Sequence, residues 1–220
     1  MTIAIGEDHK LLCDQDISIH KVPLVPLTPE TFKDFGYIVN DFDKSEVEII
    51  TWPALGHRPI DPGTGRDGGI TEGDFDIFRK ANAMYAHNHA VDGHYVTGWF
   101  NDPREGEYDG SELDFTSIYT REANYHPDGG QIFFSRNNEP FVLLLALPGD
   151  DVKLEDFTAF YCEGSVGAHI NAGIWHQPPF PINKQVTFDD KQGKVHACVS
   201  CDFVDEFGAY VKVPLNKITA

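Results

Sequence analysis

The segment Pro140-Phe-Val-Leu-Leu-Leu-Ala-Leu-Pro148 constrains this chain more than any other. It is the most apolar run in the protein, and its short length between two prolines reads as a buried strand. Polar clusters flank it: Glu122-Ala-Asn-Tyr-His126-Pro-Asp-Gly-Gly-Gln131 before it and Asn171-Ala-Gly173-Ile-Trp175-His176 after it. Two polar clusters bracketing a buried strand are what a small β-barrel uses to build a site inside its own core.

The rest of the chain points to the same all-β class. Runs at 19–26, 37–40, 47–52, 74–100, 185–188, 195–203 and 210–213 read as strands, and turn signals roughly every 8–12 residues suggest a sandwich or barrel. A short helix is expected at 28–36, with Thr28 as cap, Pro29 at its first position, Thr31 where a capping box would close, and Gly36 ending it. Residues 189–193 read as a hairpin. Residues 1–21 read as an N-terminal arm, and 53–73 and 101–116 as long loops. At 220 residues the chain can bury a sizeable core, and one domain spanning 1–220 is expected.

With 17 Lys and Arg against 35 Asp and Glu, the net charge is -18. That argues against nucleic acid and anionic membranes as partners, because binding phosphates needs clustered cations. No run approaches the roughly 20 apolar residues of a membrane-spanning helix, and the first residues lack the basic and apolar regions of a signal peptide. The cysteines Cys13, Cys162, Cys198 and Cys201 are too few and irregular for a disulfide framework. A reduced, cytoplasmic setting is therefore expected. Cys198-Val-Ser-Cys201 has redox or zinc spacing but sits in an alternating run, where positions three apart diverge, so it reads as part of a core strand.

His87 and His89 are two apart, as metal ligands on one strand face can be, and equally as polar residues on a solvent-facing side can be. His94 follows closely. In the loop at 53–73, Arg58 and Arg66 could meet a substrate carboxylate, or simply lie on the surface.

The two flanking clusters carry a more specific pattern. Asn124, His126 and Gln131 have the spacing of the first cupin motif, His-x-His-x4-Glu, with Asn for the first His and Gln for Glu. Gly129-Gly130 can form a hairpin returning Gln131 beside the other two. Asn171-x-Gly173-x2-His176 resembles the second motif, Pro-x-Gly-x2-His. In order and together, they point to a cupin-type jelly-roll barrel with one or two short helices.

A closer resemblance follows. His126-Pro127, Gln131-Ile-Phe133, Phe141-Val142, Gly149-Asp-Asp151, Leu154, Ala159-Phe160, Gly164, Gly167, Asn171, Gly173, Trp175-His176 and Pro178 are similar to the ureidoglycolate lyase family. Pro26-Leu-Thr-Pro-Glu-Thr-Phe32 through Phe35-Gly36 resembles that family's opening. The chain departs from it at Asn124, where Glu is usual, with Glu122 two residues back. It departs again in the middle, 50–118, which is longer than in the family.

The resemblance implies a metal-dependent lyase, of the amidine-lyase type, that splits ureidoglycolate into glyoxylate and urea during allantoin and purine breakdown. His126, Gln131 and His176, at the cupin-motif positions, are the candidate ligands of a divalent ion (nickel, zinc, manganese or iron), with Asn124 or Glu122 completing the shell or touching substrate. Asn124, Trp175 and Arg58 are candidates for holding substrate, and His196, His169 and Glu122 for acid–base work near neutral pH. A small carboxylate is then the partner molecule, and a homodimer is the expectation of the fold class. The alternatives are another metal-dependent cupin enzyme acting on a small carboxylate (hydrolase, isomerase or oxygenase) and a non-enzymatic ligand-binding cupin.

Overall fold

The strand Phe141–Ala146 has no exposed side chain, each of its six residues standing at 0%. Such a strand needs apolar cover on both faces, so the molecule has to be built in layers around it. The computed structural model, which describes residues 17–50, 57–65 and 67–218, supplies them as two sheets.

The seven-stranded sheet runs Val199–Asp202, Glu122–Tyr125, Trp175–His176, Phe141–Ala146, Thr158–Cys162 and Leu24–Pro26, with Phe180–Pro181 also paired to Phe141–Ala146. The ten-stranded sheet runs Ser18–Lys21, Ala209–Pro214, Ser117–Thr120, Gly93–Trp99, Ala83–Asn88, Asp67–Lys80, Gln185–Val195, Gln131–Ser135, Gly167–Ile170 and Gly36–Val39. Both are open paths among the described residues, so the pairing gives an all-β protein of two sheets and not one closed barrel. Phe141 of the first sheet meets Phe188 of the second edge-on at 5.1 Å, which locks the facing sides together, and Phe133 packs on Phe188 within the second at 6.5 Å.

The proline-spaced segment at 19–26 splits into Ser18–Lys21 and Leu24–Pro26, each at the end of a different sheet. Edges are where a proline's missing donor costs least. The helix Pro29–Phe32 is capped as the sequence suggests. The Thr31 amide donates to Thr28 Oγ1 at 3.2 Å, and the Thr28 amide donates to Thr31 Oγ1 at 3.0 Å. Threonine thus closes the box without Glu. Gly36 does not end this helix, because it already begins the next strand. A Cβ there would lie 1.7 Å from the His169 carbonyl oxygen, so close backbone approach explains the glycine.

Four further expectations are corrected. The stretch at 189–193 is no hairpin but the middle of the eleven-residue strand Gln185–Val195, paired on both edges. The strand Asp67–Lys80 begins inside the stretch read as a loop at 53–73. In place of a strand over 47–52, the described part holds a single bridge, Ile49 to Gly129. The strand Val199–Asp202 also gives way early to a second helix, Phe203–Phe207. Residues 1–16 of the arm, Cys13, residues 51–56 of the expected strand and loop, and Arg66 lie outside the described residues. Among the described residues, no helix is long and apolar enough to cross a membrane.

Candidate functional site

Strand alternation decides which side chains enter the space between the sheets. In Glu122–Tyr125, Ala123 and Tyr125 join the outer apolar packing, and Tyr125 meets Trp175 edge-on at 4.6 Å. Glu122 and Asn124 therefore share the opposite face, which His126 continues. Asn124 pairs in register with both His176 and Ser200. In the other sheet, Phe133 and Phe188 face the core, so Gln131 and Asp190 do as well.

His126 and His176 meet at 5.1 Å between ring centroids, at 69°. His126 Nδ1 donates to the Ala197 carbonyl at 3.0 Å, and His176 Nδ1 donates to the Ile174 carbonyl at 2.8 Å. In both rings this leaves Nε2 as the bare nitrogen, with no hydrogen bond to the described residues. Burial lowers both pKa values, to about 4 for His176 and well below the usual range for His126, where the neighbouring His196 and His176 add to the effect. Two neutral imidazoles, oriented by carbonyls at Nδ1 and open at Nε2, have the form metal-binding histidines take.

Gln131 does not return as a hairpin beside Asn124. It crosses to the other sheet, where its Nε2 donates to Asp190 Oδ1 at 2.7 Å. Asn88 Nδ2 donates to the other oxygen, Oδ2, at 3.0 Å. Asp190 is fully buried, and burial pushes its pKa up to about 7 against the lowering pull of these two amides. Because its Nε2 is spent on Asp190, Gln131 keeps the Oε1 lone pairs free.

His196 stacks on His126 at 4.4 Å and 10°. Its Nε2 lies 2.8 Å from the Gly193 amide nitrogen and 3.2 Å from the Gly130 carbonyl, and its Nδ1 lies 2.9 Å from Asp128 Oδ1. Both nitrogens are engaged, which suits a positioning group better than a proton carrier. Two glycines make room for the ring, since a Cβ at Gly129 would lie 2.7 Å from His196 Cε1 and one at Gly193 would lie 2.5 Å from it.

The other candidates are distributed around this cluster. Glu122 is reached by water yet surrounded by protein, and desolvation and then Asp202 raise its pKa. His169 lies behind the ten-stranded sheet, stacked on Tyr37 at 4.4 Å, with Nε2 2.9 Å from Glu48 Oε2 but outside hydrogen-bond geometry. Arg58 and Trp175 lie on the outer side of the seven-stranded sheet. The guanidinium binds Glu206 at 2.6 Å and covers the Trp175 ring at 5.2 Å, while Trp175 Nε1 donates to the Gly149 carbonyl at 2.9 Å. The described cysteines are unpaired; Cys201 is core, while Cys198 lies beside Ser200.

Sequence reasoning missed Asp190, Asn88 and Asp128. The signal for Asp190 was present in Val186, Phe188 and Asp190, which alternate on one face of a strand, but the run Asp189-Asp-Lys-Gln-Gly193 reads more readily as a turn.

Residues 112–206 match the family model described as ureidoglycolate lyase. A ureidoglycolate lyase of Pseudomonas savastanoi pv. phaseolicola is 33% identical over 75 residues, covering 33% of this chain and 44% of that protein. One of Salmonella enteritidis is 36% identical over 63 residues, covering 29% of this chain and 39% of that protein. The chain thus spans less than half the length of these curated relatives. Asn124, His126, Asp128, Gln131, His176, Asp190 and His196 all fall within the matched stretch, and Asn88 does not.

Proposed function

We propose that this chain is a metal-dependent carbon–nitrogen lyase that splits ureidoglycolate into glyoxylate and urea, with its two sheets forming a cupin-type jelly roll around the site. The observation that carries the reading is the pair His126 and His176, both neutral, both fixed through Nδ1 on backbone carbonyls and both open at Nε2. The pair lies inside the stretch similar to ureidoglycolate lyases.

His126 and His176, with Gln131 Oε1, are the residues that would hold a divalent ion. Imidazole and amide donors suit nickel, zinc, manganese or iron. Bound there, the ion would polarise the substrate's hydroxyl and carboxylate oxygens. Asn124, opposite His176, offers an amide to the substrate. Asp190 and Asn88 hold Gln131 in place, and the Asp128–His196 pair fixes the face of His126.

In the reaction the hydroxyl loses its proton, the carbon–nitrogen bond breaks, and the departing urea nitrogen gains a proton. Glu122 shares the strand face of Asn124 and His126, and its raised pKa suits a carboxyl that takes the first proton and returns it. No net proton is exchanged with solvent.

The test is urea release from ureidoglycolate by metal-loaded protein, with metal content measured on the same sample. His126→Ala and His176→Ala are expected to lose urea release and the equivalent of metal held between these two rings. An inactive metal-loaded wild type, or variants retaining full activity, would remove the reading.

A further inference from the structure

The outer face of the ten-stranded sheet carries a second group of histidines, outside the stretch similar to ureidoglycolate lyases. Thr187, Asp76, His87 and His94 stand directly in register across four adjacent strands. Residues opposite one another on neighbouring strands bring their side chains within contact. Here the His87 and His94 rings stack at 3.9 Å and 19°.

The turn between these two strands adds a carboxylate. Asp92 adopts the left-handed conformation, φ 53, which Asp tolerates better than most residues. Its Oδ1 then lies 3.9 Å from His87 Nε2 and 3.7 Å from His94 Nε2. One ligand atom from each of His87, Asp92 and His94 falls within 4.8 Å of the others. A tetrahedral ion with bonds of about 2.0–2.2 Å holds its donors roughly 3.3–3.5 Å apart. The two Asp92–histidine separations exceed that spacing by about half an ångström or less, and the third is within 4.8 Å.

Three further residues brace the group. His89 stacks against His87 at 3.8 Å, and its Nε2 lies 2.9 Å from Asp76 Oδ2. Thr187 Oγ1 donates to the other Asp76 oxygen at 2.5 Å, so that carboxylate is held from both sides.

We propose that His87, Asp92 and His94 form a surface site for a divalent transition ion such as zinc, tying together the hairpin Ala83–Asn88 and Gly93–Trp99. The donor set of two imidazoles and one carboxylate is borderline in softness, which selects zinc or nickel over calcium or magnesium. The fourth position faces solvent and would be filled by water. The site is separate from the inner cluster, because His87 and Asn88 are consecutive and point to opposite faces of their strand.

The test is equilibrium dialysis of the chelator-stripped protein against zinc, with bound metal counted by elemental analysis. His94→Ala, and the double variant His87→Ala/His94→Ala, are expected to bind one equivalent fewer than wild type, with urea release unchanged and with a smaller zinc-dependent rise in thermal midpoint. His126→Ala is expected to keep the outer equivalent and its thermal shift. Wild-type zinc stoichiometry and thermal shift in the double variant would overturn the proposal, whether or not the protein proves to be a lyase.

Discussion

Asp128 holds His196 with one carboxylate oxygen and the Ala197 amide with the other, both at 2.9 Å. The Ala197 carbonyl in turn receives the Nδ1 proton of His126 at 3.0 Å. One buried carboxylate thus orients both the ring stacked on His126 and the peptide unit that aims its free nitrogen.

Asp128→Asn presents a donor where one of these two donors now finds an acceptor. We expect metal affinity at the inner site to fall by about 10–100-fold, the usual cost of losing a partner behind a metal ligand. Competition with a chromophoric chelator measures it. Undiminished affinity would show that Asp128 serves the loop alone.

Asp190 and His176 make opposing contributions to stability across acid pH. Asp190 titrates at about 7 in the native state, against roughly 3.9 when unfolded. The native state therefore keeps a proton that the unfolded chain has lost, and this contribution is full at low pH and lost as pH rises to about 7. His176 titrates at about 4 when native, against about 6.5 unfolded. Its contribution is full above about 6.5 and lost as pH falls towards 4. Asp190→Asn should remove the opposing slope, so urea midpoints of the variant climb more steeply between about pH 4 and 6.5 than those of wild type. Parallel curves would refute the assignment.

Gly36→Ala forces a Cβ to 1.7 Å from the His169 carbonyl oxygen. Two paired strands must separate to admit it, at a cost of about 1–3 kcal/mol or more. Chemical denaturation reads this directly, and a loss below about 0.5 kcal/mol would mean that the edge strand yields freely.

Arg58 binds Glu206 and lies over Trp175, on the outer side of its sheet. Arg58→Gln is expected to cost about 1 kcal/mol of stability and to leave the KM for ureidoglycolate unchanged. A large rise in KM at unchanged stability would return Arg58 to the substrate.

What the sequence made legible followed from local chemistry. The cap at Thr28, the buried strand after Pro140 and the inward face of Asn124 and His126 depend on residues close together in the chain. What stayed hidden depends on distant partners. Asp190 reads as a turn residue until Gln131 and Asn88, from two other strands, arrive to bind it. Gly36 reads as a helix end until the His169 carbonyl approaches from a strand more than a hundred residues away. His196 was nameable as a candidate, but its occupation on both nitrogens needs Gly193 and Asp128 in place.

His87 and Asn88 are neighbours on one strand, the first in the outer histidine row and the second on the carboxylate that steadies Gln131. One stretch of backbone thus carries a load on each face of the sheet. The pairing of Ala83–Asn88 with its neighbours fixes the outer ring and the inner amide in the same register.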